Sequence, residues 1–236
     1  PLWHWLYFLP LHRQSEIGPD GHAKRGGFLP PVPLPRRMWA GGRFQFIKPL
    51  RVGDAIRRTS QIVDVTMKDG RSGALVFVLV RHHIGNADGV AIVEEHDIVY
   101  RGLPPAGEAP PAPPKAPDGA VWKRGIEPDD VLLFRYSALT FNGHRIHYDR
   151  RYVTETEGYP GLIVHGPLIA TLLTDLVRRN STTPMTSFKF KAVSPLFDIA
   201  PFSVNGIPSA DGKQVKLWAQ GAAGQLAMDA EATLAV

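Results

Sequence analysis

The chain has 236 residues, 44% of them hydrophobic and 21% charged, with a net charge of +5 and no cysteine. That composition belongs to a folded globular protein with one large domain or two ordinary ones. It excludes disulfides, thiolate metal sites and a cysteine nucleophile, and it fits a cytoplasmic setting. No run of 18 or more apolar residues appears, so no membrane span is expected.

Taken in chain order, the first segment, WHWLYFLP (3–10), is apolar and aromatic. It lacks a basic leader and a small-residue cleavage site, so it does not read as a signal peptide. The start on Pro1 reads as a chain that lacks its true beginning, and a helix is expected near Leu2–Leu9. The basic pairs Arg36-Arg37, Arg57-Arg58, Arg150-Arg151 and Arg178-Arg179 are scattered. Without a nucleic-acid motif they read as solvated charge suited to an anionic substrate, and nucleic acid is not an expected partner.

Beyond Arg43 the pattern alternates as in strands. Phe44–Ile47, Ala55–Met67, Gly73–Ile84 and Val90–Arg101 are separated by turns at Lys68–Arg71 and Gly85–Gly89. This predicts an antiparallel meander. A proline-rich stretch, GLPPAGEAPPAPPKAPD (102–118), cannot hold a helix or a central strand and reads as an extended spacer. The boundaries that follow are residues 1–101, a linker at 102–119, and residues 120–236.

The second half repeats the plan. Apolar residues at 168, 169, 172, 173, 176 and 177 predict a helix over Pro167–Arg179. Strands are expected at Ser187–Val193, Pro201–Ile207, Val215–Gln220 and Gln225–Val236, with glycine turns at 209–212 and 221–224. The two halves read as a weak internal duplication of one helix-plus-sheet unit. Periodicity alone gives an α+β protein with antiparallel sheet.

The chemistry concentrates in YSALTFNGHRIHYD (136–149) and LIVHGPL (162–168). His147 suits general acid–base work, and it has His144 and Asp149 as close neighbours in sequence. Asn142 either holds a water or substrate hydroxyl or forms an Asn-Gly turn; the two readings weigh evenly. Asp149 precedes a short helix expected at 150–157, and its N-cap role carries at least half the weight. Arg145 and Arg150 suit phosphate or carboxylate but read more readily as surface. His165-Gly166-Pro167 opens a helix, either as a plain entry turn or with backbone N–H groups aimed at an oxyanion. His144 and His147 have no third metal ligand at a usual spacing, so no metal is expected. There is no Gly-x-Ser-x-Gly elbow, phosphate loop or His-Glu-x-x-His.

Together these motifs resemble the MaoC-like (hydratase 2) family of double hot-dog proteins. The segments WHWLYFLP (3–10) and TFNGHRIHYD (140–149) are similar to the branch holding mesaconyl-CoA and itaconyl-CoA hydratases and type 2 3-hydroxyacyl-thioester dehydratases. FIKPLRVGD (46–54) resembles a strand-turn of these folds. The resemblance implies two units, each an antiparallel sheet wrapped round a central helix, with catalysis in the second. It implies His147 as the proton carrier, Asn142 and His144 as water-positioning residues, and Gly166 as the oxyanion donor. Arg145 and His165 are the expected substrate-binding residues. Asn142 stands where the family keeps an aspartate, His144 where it keeps an asparagine, and Arg145 where it keeps a proline.

The activity implied is reversible hydration of an enoyl-CoA thioester, of a short branched dicarboxylic type, with no cofactor beyond the CoA of the substrate. The alternatives are a 3-hydroxyacyl-thioester dehydratase of fatty-acid synthesis, a thioesterase, and a non-catalytic acyl-thioester-binding protein. Both a monomer and a homodimer of double units remain open.

Overall fold

The protein is described by a computed structural model over residues 1–70, 73–102 and 112–235. The strands are β1 (Arg36–Phe46), β2 (Arg57–Gly70), β3 (Gly73–Asn86), β4 (Gly89–Arg101), β5 (Trp122–Ile126), β6 (Met185–Ala192), β7 (Phe202–Pro208), β8 (Gln214–Gly221) and β9 (Leu226–Leu234). They form one antiparallel sheet in the order β2-β3-β4-β1-β6-β9-β8-β7-β5. Read outward from the β1–β6 junction, the halves run β1-β4-β3-β2 and β6-β9-β8-β7, the same order twice. The duplication expected from the sequence is therefore a duplication of topology, with β5 added at the outer edge of the second unit. This is the double hot-dog plan, and each expected strand is present; β1 begins eight residues before the expected Phe44, and β9 ends at Leu234. The turn expected at Lys68–Arg71 is shortened, because β2 runs on to Gly70; residues 71 and 72 lie outside the described residues.

Helix α2 (Gly166–Asn180) is the centre of the second unit. Its apolar face buries Leu168, Ile169, Leu173, Leu176 and Val177 against Phe188, Phe190, Val204, Leu217 and Met228. Each such side chain removed from water contributes about 1.5–3 kcal/mol. The last turn is closed by Arg178 and Arg179, which both donate to Asp175, cations where the helix dipole favours them.

The first unit differs from expectation. Only a 3₁₀ stretch, Trp3–Tyr7, stands where a helix was expected at Leu2–Leu9. Aromatic and histidine side chains are modest helix formers, no side chain caps the start, and Pro10 bars continuation. Tertiary contacts hold the stretch instead. Glu94 on β4 is 2% exposed, and it accepts from Trp5 Nε1 at 2.8 Å and pairs with His4 Nε2 at 2.7 Å and with His96. Burial alone would raise the Glu94 pKa, but His96 and His4 pull it below the ordinary carboxylate range.

Helix α1 (Asp130–Thr140) and strand β5 were not expected. Asp129 caps α1 by accepting from Leu132 N at 2.7 Å. Of its apolar residues, Leu133 and Tyr136 are buried while Val131, Phe134 and Leu139 are exposed, so no clean helical stripe marks it in the sequence.

The expected linker meets two fates. Residues 103–111 lie outside the described residues. Its end is tied down, since Leu226 N donates to Pro114 O at 2.8 Å and Ala116 N to Gly224 O at 2.9 Å. The N-terminal segment also crosses the boundary drawn by sequence. Leu2 joins the core around α2, and Arg145 N donates to Asp20 O at 2.9 Å.

Candidate active site

Three pieces of chain meet here: the loop after α1, the start of α2, and residues 17–23 of the N-terminal segment. Phe141 ends α1 in the left-handed region at φ 51°, and Asn142 N reaches back to Ser137 O at 2.8 Å. That closure turns the chain sharply. Asn142 Oδ1 then accepts from His144 N at 3.0 Å. Asn142 is thus first a turn former, the second of its two sequence readings, with its side-chain N–H₂ free of protein partners among the described residues.

His147 is buried, 8% exposed, in a single 3₁₀ turn, Arg145–His147. Its Nδ1 lies 2.7 Å from Ile163 O. A carbonyl only accepts, so Nδ1 carries the proton and Nε2 is left as the free, basic nitrogen. Burial lowers the His147 pKa to about 3, and His144 and His22 add to the effect. The ring is therefore neutral at physiological pH and able to take a proton. Any activity that depends on His147 as a base is expected to stay flat from about pH 8 down to pH 5 and to fall only as the pH approaches the depressed pKa. A kcat/KM profile checks this; an acid limb centred near the ordinary histidine value would contradict it.

His165 packs face to face with His147, ring centroids 3.7 Å apart. It is fully buried, with Nε2 2.8 Å from Ser137 Oγ and Nδ1 without a partner among the described residues. Burial pushes its pKa down to about 2. It was expected to bind substrate; its place is behind His147, where it fixes the ring plane.

Gly166 is the first residue of α2, followed by Pro167. Its N–H has no intrahelical partner, as first-turn N–H groups do not, and the position a β-carbon would take is open. That suits an oxyanion donor.

Arg145 corrects a sequence expectation. Its guanidinium donates twice to Asp149, once to Pro19 O at 3.0 Å, and lies 4.2 Å over the Tyr152 ring. Three of its five N–H groups thus brace the loop. Asp149 also accepts from Tyr152 N at 3.0 Å, the N-cap role expected of it. The helix it caps begins at Arg150 and passes into a π-helical stretch, Tyr152–Thr156. Arg150 pairs with Asp198 on the surface.

The residues that sequence reasoning missed are Asp20, His22 and Ser137. Asp20 Oδ2 lies 3.1 Å from His22 Nδ1, and the His22 ring leans on His144, centroids 3.9 Å apart and planes tilted by 37°. His144 in turn stands 5.5 Å from His147, edge to face. Burial lowers the His144 pKa to about 3, so it too is neutral. Asp20, His22 and His144 bring three donor atoms within 4.8 Å of one another, a third companion that spacing alone did not supply. His22 Nδ1 is already held by Asp20, however. A hydrogen-bonded pair buttressing His144 accounts for this geometry.

Gly21 makes the docking possible. It sits at φ +88°, and a β-carbon there would overlap the Gly143 carbonyl oxygen. Gly21→Ala is expected to push the segment off the loop, cost more than about 1 kcal/mol, and lower turnover. Thermal melts beside a kinetic assay check it; an unchanged melt and rate would contradict it.

The sequence and the fold were compared with known proteins. The family model described as hydroxyacyl-thioester dehydratase type 2 matches residues 2–198. A mesaconyl-C(4)-CoA hydratase from Chloroflexus aurantiacus is 50% identical over 236 residues, covering 99% of this chain and 83% of the relative. A MaoC-like dehydratase from Phytophthora capsici superposes with a TM-score of 0.67 at 15% identity, covering 92% of this chain and 80% of that one. A Mycobacterium tuberculosis protein described as a double hot-dog superposes with a TM-score of 0.53 at 12% identity, covering 84% and 75%.

Proposed function

This chain belongs to the hydroxyacyl-thioester dehydratase type 2 family, and we propose that its substrate within that family is the CoA thioester of a short, branched, unsaturated dicarboxylic acid. It is a hydro-lyase acting on an enoyl-CoA thioester. The dicarboxylic reading draws on the half-identical relative, whose name specifies mesaconyl-C(4)-CoA. Itaconyl-CoA is the neighbouring candidate.

The observation that carries the mechanism is the tautomer of His147, fixed by Ile163 O. Its free Nε2 takes a proton from water as the water oxygen bonds to the β-carbon. The π pair moves to the α-carbon, and the charge it places on the thioester oxygen is met by the Gly166 N–H. Such a donor contributes about 3–4 kcal/mol to the rate. His147 then returns its proton to the α-carbon, so water has added across the double bond with no proton gained or lost. His144, neutral and beside His147, is positioned to hold the water; Asn142 shapes the loop that presents it. The reverse sequence is dehydration. Nothing in these steps calls on a cofactor beyond the CoA of the substrate.

The test is a hydration assay with crotonyl-, mesaconyl-, itaconyl- and medium-chain enoyl-CoA. Fastest turnover of a dicarboxylyl thioester is expected. Preference for long saturated-tail substrates would instead favour the fatty-acid dehydratase reading, and release of free CoA would favour a thioesterase. The same reading extends to a cytoplasmic location and a homodimer, open to cell fractionation and light scattering. No helix among the described residues is long and apolar enough to cross a membrane.

A further inference from the structure

Arg36 and Arg37 look alike in the sequence, yet the strand register separates them. Along β1 and β4, Phe44 faces Glu94, Gly42 faces His96, Trp39 faces Ile98 and Arg37 faces Tyr100. Directly paired residues share a face of the sheet. Phe44, Glu94 and Tyr100 are each no more than 2% exposed, so this is the inner face, and Arg37 stands on it. A bulge between Trp39 and Gly41 keeps the face continuous.

Arg36, by contrast, lies on the other side of the register and pairs with Glu157 at 3.8 Å. Arg37 is half-buried and has no acidic partner among the described residues. The nearby acids are committed: Asp20 to His22, and Glu157 to Arg36 and Tyr152. A half-buried cation without a counter-ion is costly unless an anion arrives to meet it.

Arg37 also stands beside the chain that follows His147: its neighbour Arg36 reaches Glu157 at 3.8 Å and lies 6.0 Å over the Tyr159 ring. Burial and His22 are the main reasons for the low His144 pKa, but the Arg37 charge adds to them, and His144 borders His147. The phosphates of CoA hang at the far end of the pantetheine arm, away from the reacting carbons. An anion that meets Arg37 therefore belongs to the acyl group.

We propose that Arg37 is a specificity-determining residue that receives the free carboxylate of an unsaturated dicarboxylic monothioester. A guanidinium on the inner wall forms a two-point pair with a carboxylate. It selects a charged enoyl group over a neutral one of equal length, because the neutral one leaves the cation buried and unpaired. This inference rests on the hydratase reading.

The experiment compares kcat/KM for mesaconyl-C4-CoA, which carries the carboxylate, and crotonyl-CoA, which does not, in the wild-type chain and in R37Q and R37K. The ratio of the two values is expected to fall by about 30-fold or more in R37Q, as for loss of a hydrogen-bonded charge, and less in R37K. A ratio within about threefold of wild type overturns the proposal, and so does an equal loss on both substrates, which is what a purely structural role produces. If R37Q does not fold, the R37K ratio decides by the same threshold. Hydration of crotonyl-CoA by the wild type with no preference for the carboxylated substrate overturns the proposal while leaving the hydratase reading standing. Absence of hydration with either substrate overturns both.

Discussion

Replacement of His147 by alanine is expected to lower kcat for hydration by about 10²–10⁴-fold, the range over which a positioned acid–base group contributes. The reasoning is local. His147 is the one ring in the cluster whose Nδ1 is tied to a main-chain carbonyl, so the basic nitrogen is fixed in identity as well as direction. His165 behind it and His144 beside it are both held neutral by burial, so neither carries a charge that would oppose formation of the imidazolium strongly. The loss should appear in kcat with a smaller change in KM, because the ring acts on the water rather than on the bulk of the substrate. A His147→Gln variant keeps a side-chain amide near Ile163 O and should melt near the wild-type temperature, yet remain slow. Wild-type turnover by either variant would move the base elsewhere in the site.

The largest effect on stability is expected at Glu94. Glu94→Ala should cost about 3–5 kcal/mol, as when one partner of a buried ion pair is removed. Trp5 Nε1 would lose its acceptor and His4 Nε2 its carboxylate partner, while among the described residues His4 Nδ1 has none. Trp3–Tyr7 has no cap and no helical length of its own, so it should detach. Glu95→Gln is the matched control. Its pairs with Arg43 and Arg81 lie nearer the surface, and a loss of about 1 kcal/mol or less is expected. Urea melts of both variants check the contrast, and equal midpoints would contradict it.

Acid should act through the same groups. The folded pKa of Glu94 is below its unfolded value, so its contribution is present above the ordinary carboxylate range and is lost as the pH falls. His147 and His165 titrate lower when folded, so protons favour the unfolded chain once the pH drops below the ordinary histidine value. Both trends point the same way, and stability should decline from about pH 6 downward.

How much of this was legible in the sequence depends on range. Alternation marked β2, β3 and β4, and the 3.6-residue period marked α2, because each buries one face against a neighbour. Helix α1 escaped, since Phe134 and Leu139 are exposed while Ser137 is buried, the reverse of an amphipathic pattern. A helix at Leu2–Leu9 was expected as the first unit's counterpart of α2; the aromatic run there forms only a 3₁₀ stretch because its side chains are held by remote partners such as Glu94 and Trp39. In the site, the N-cap place of Asp149 and the helix start at Gly166 were visible because they depend on near neighbours in the chain, whereas Ile163 O, which orients His147, lies 16 residues on. Arg145 was expected to meet substrate; Asp149, to which it donates twice, is only four residues on, but Pro19 O, which it also holds, is remote in sequence. Asp20, His22 and Arg37 were invisible for that reason too; no spacing rule links them to residue 147, and only docking of the N-terminal segment and the β1 register place them.

That docking bears on how the chain divides. The proline-rich stretch invites separation into an upstream half and a self-contained downstream half. Yet Asp20 O and Pro19 O both hold Arg145, and His22 backs His144. A fragment cut at residue 120 would keep every group of the hydratase motif and lose the brace that sets its loop. The upstream portion is thus a permanent part of the site's frame, and activity measured after trimming the first 23 residues reports on the shape of the loop as much as on its chemistry.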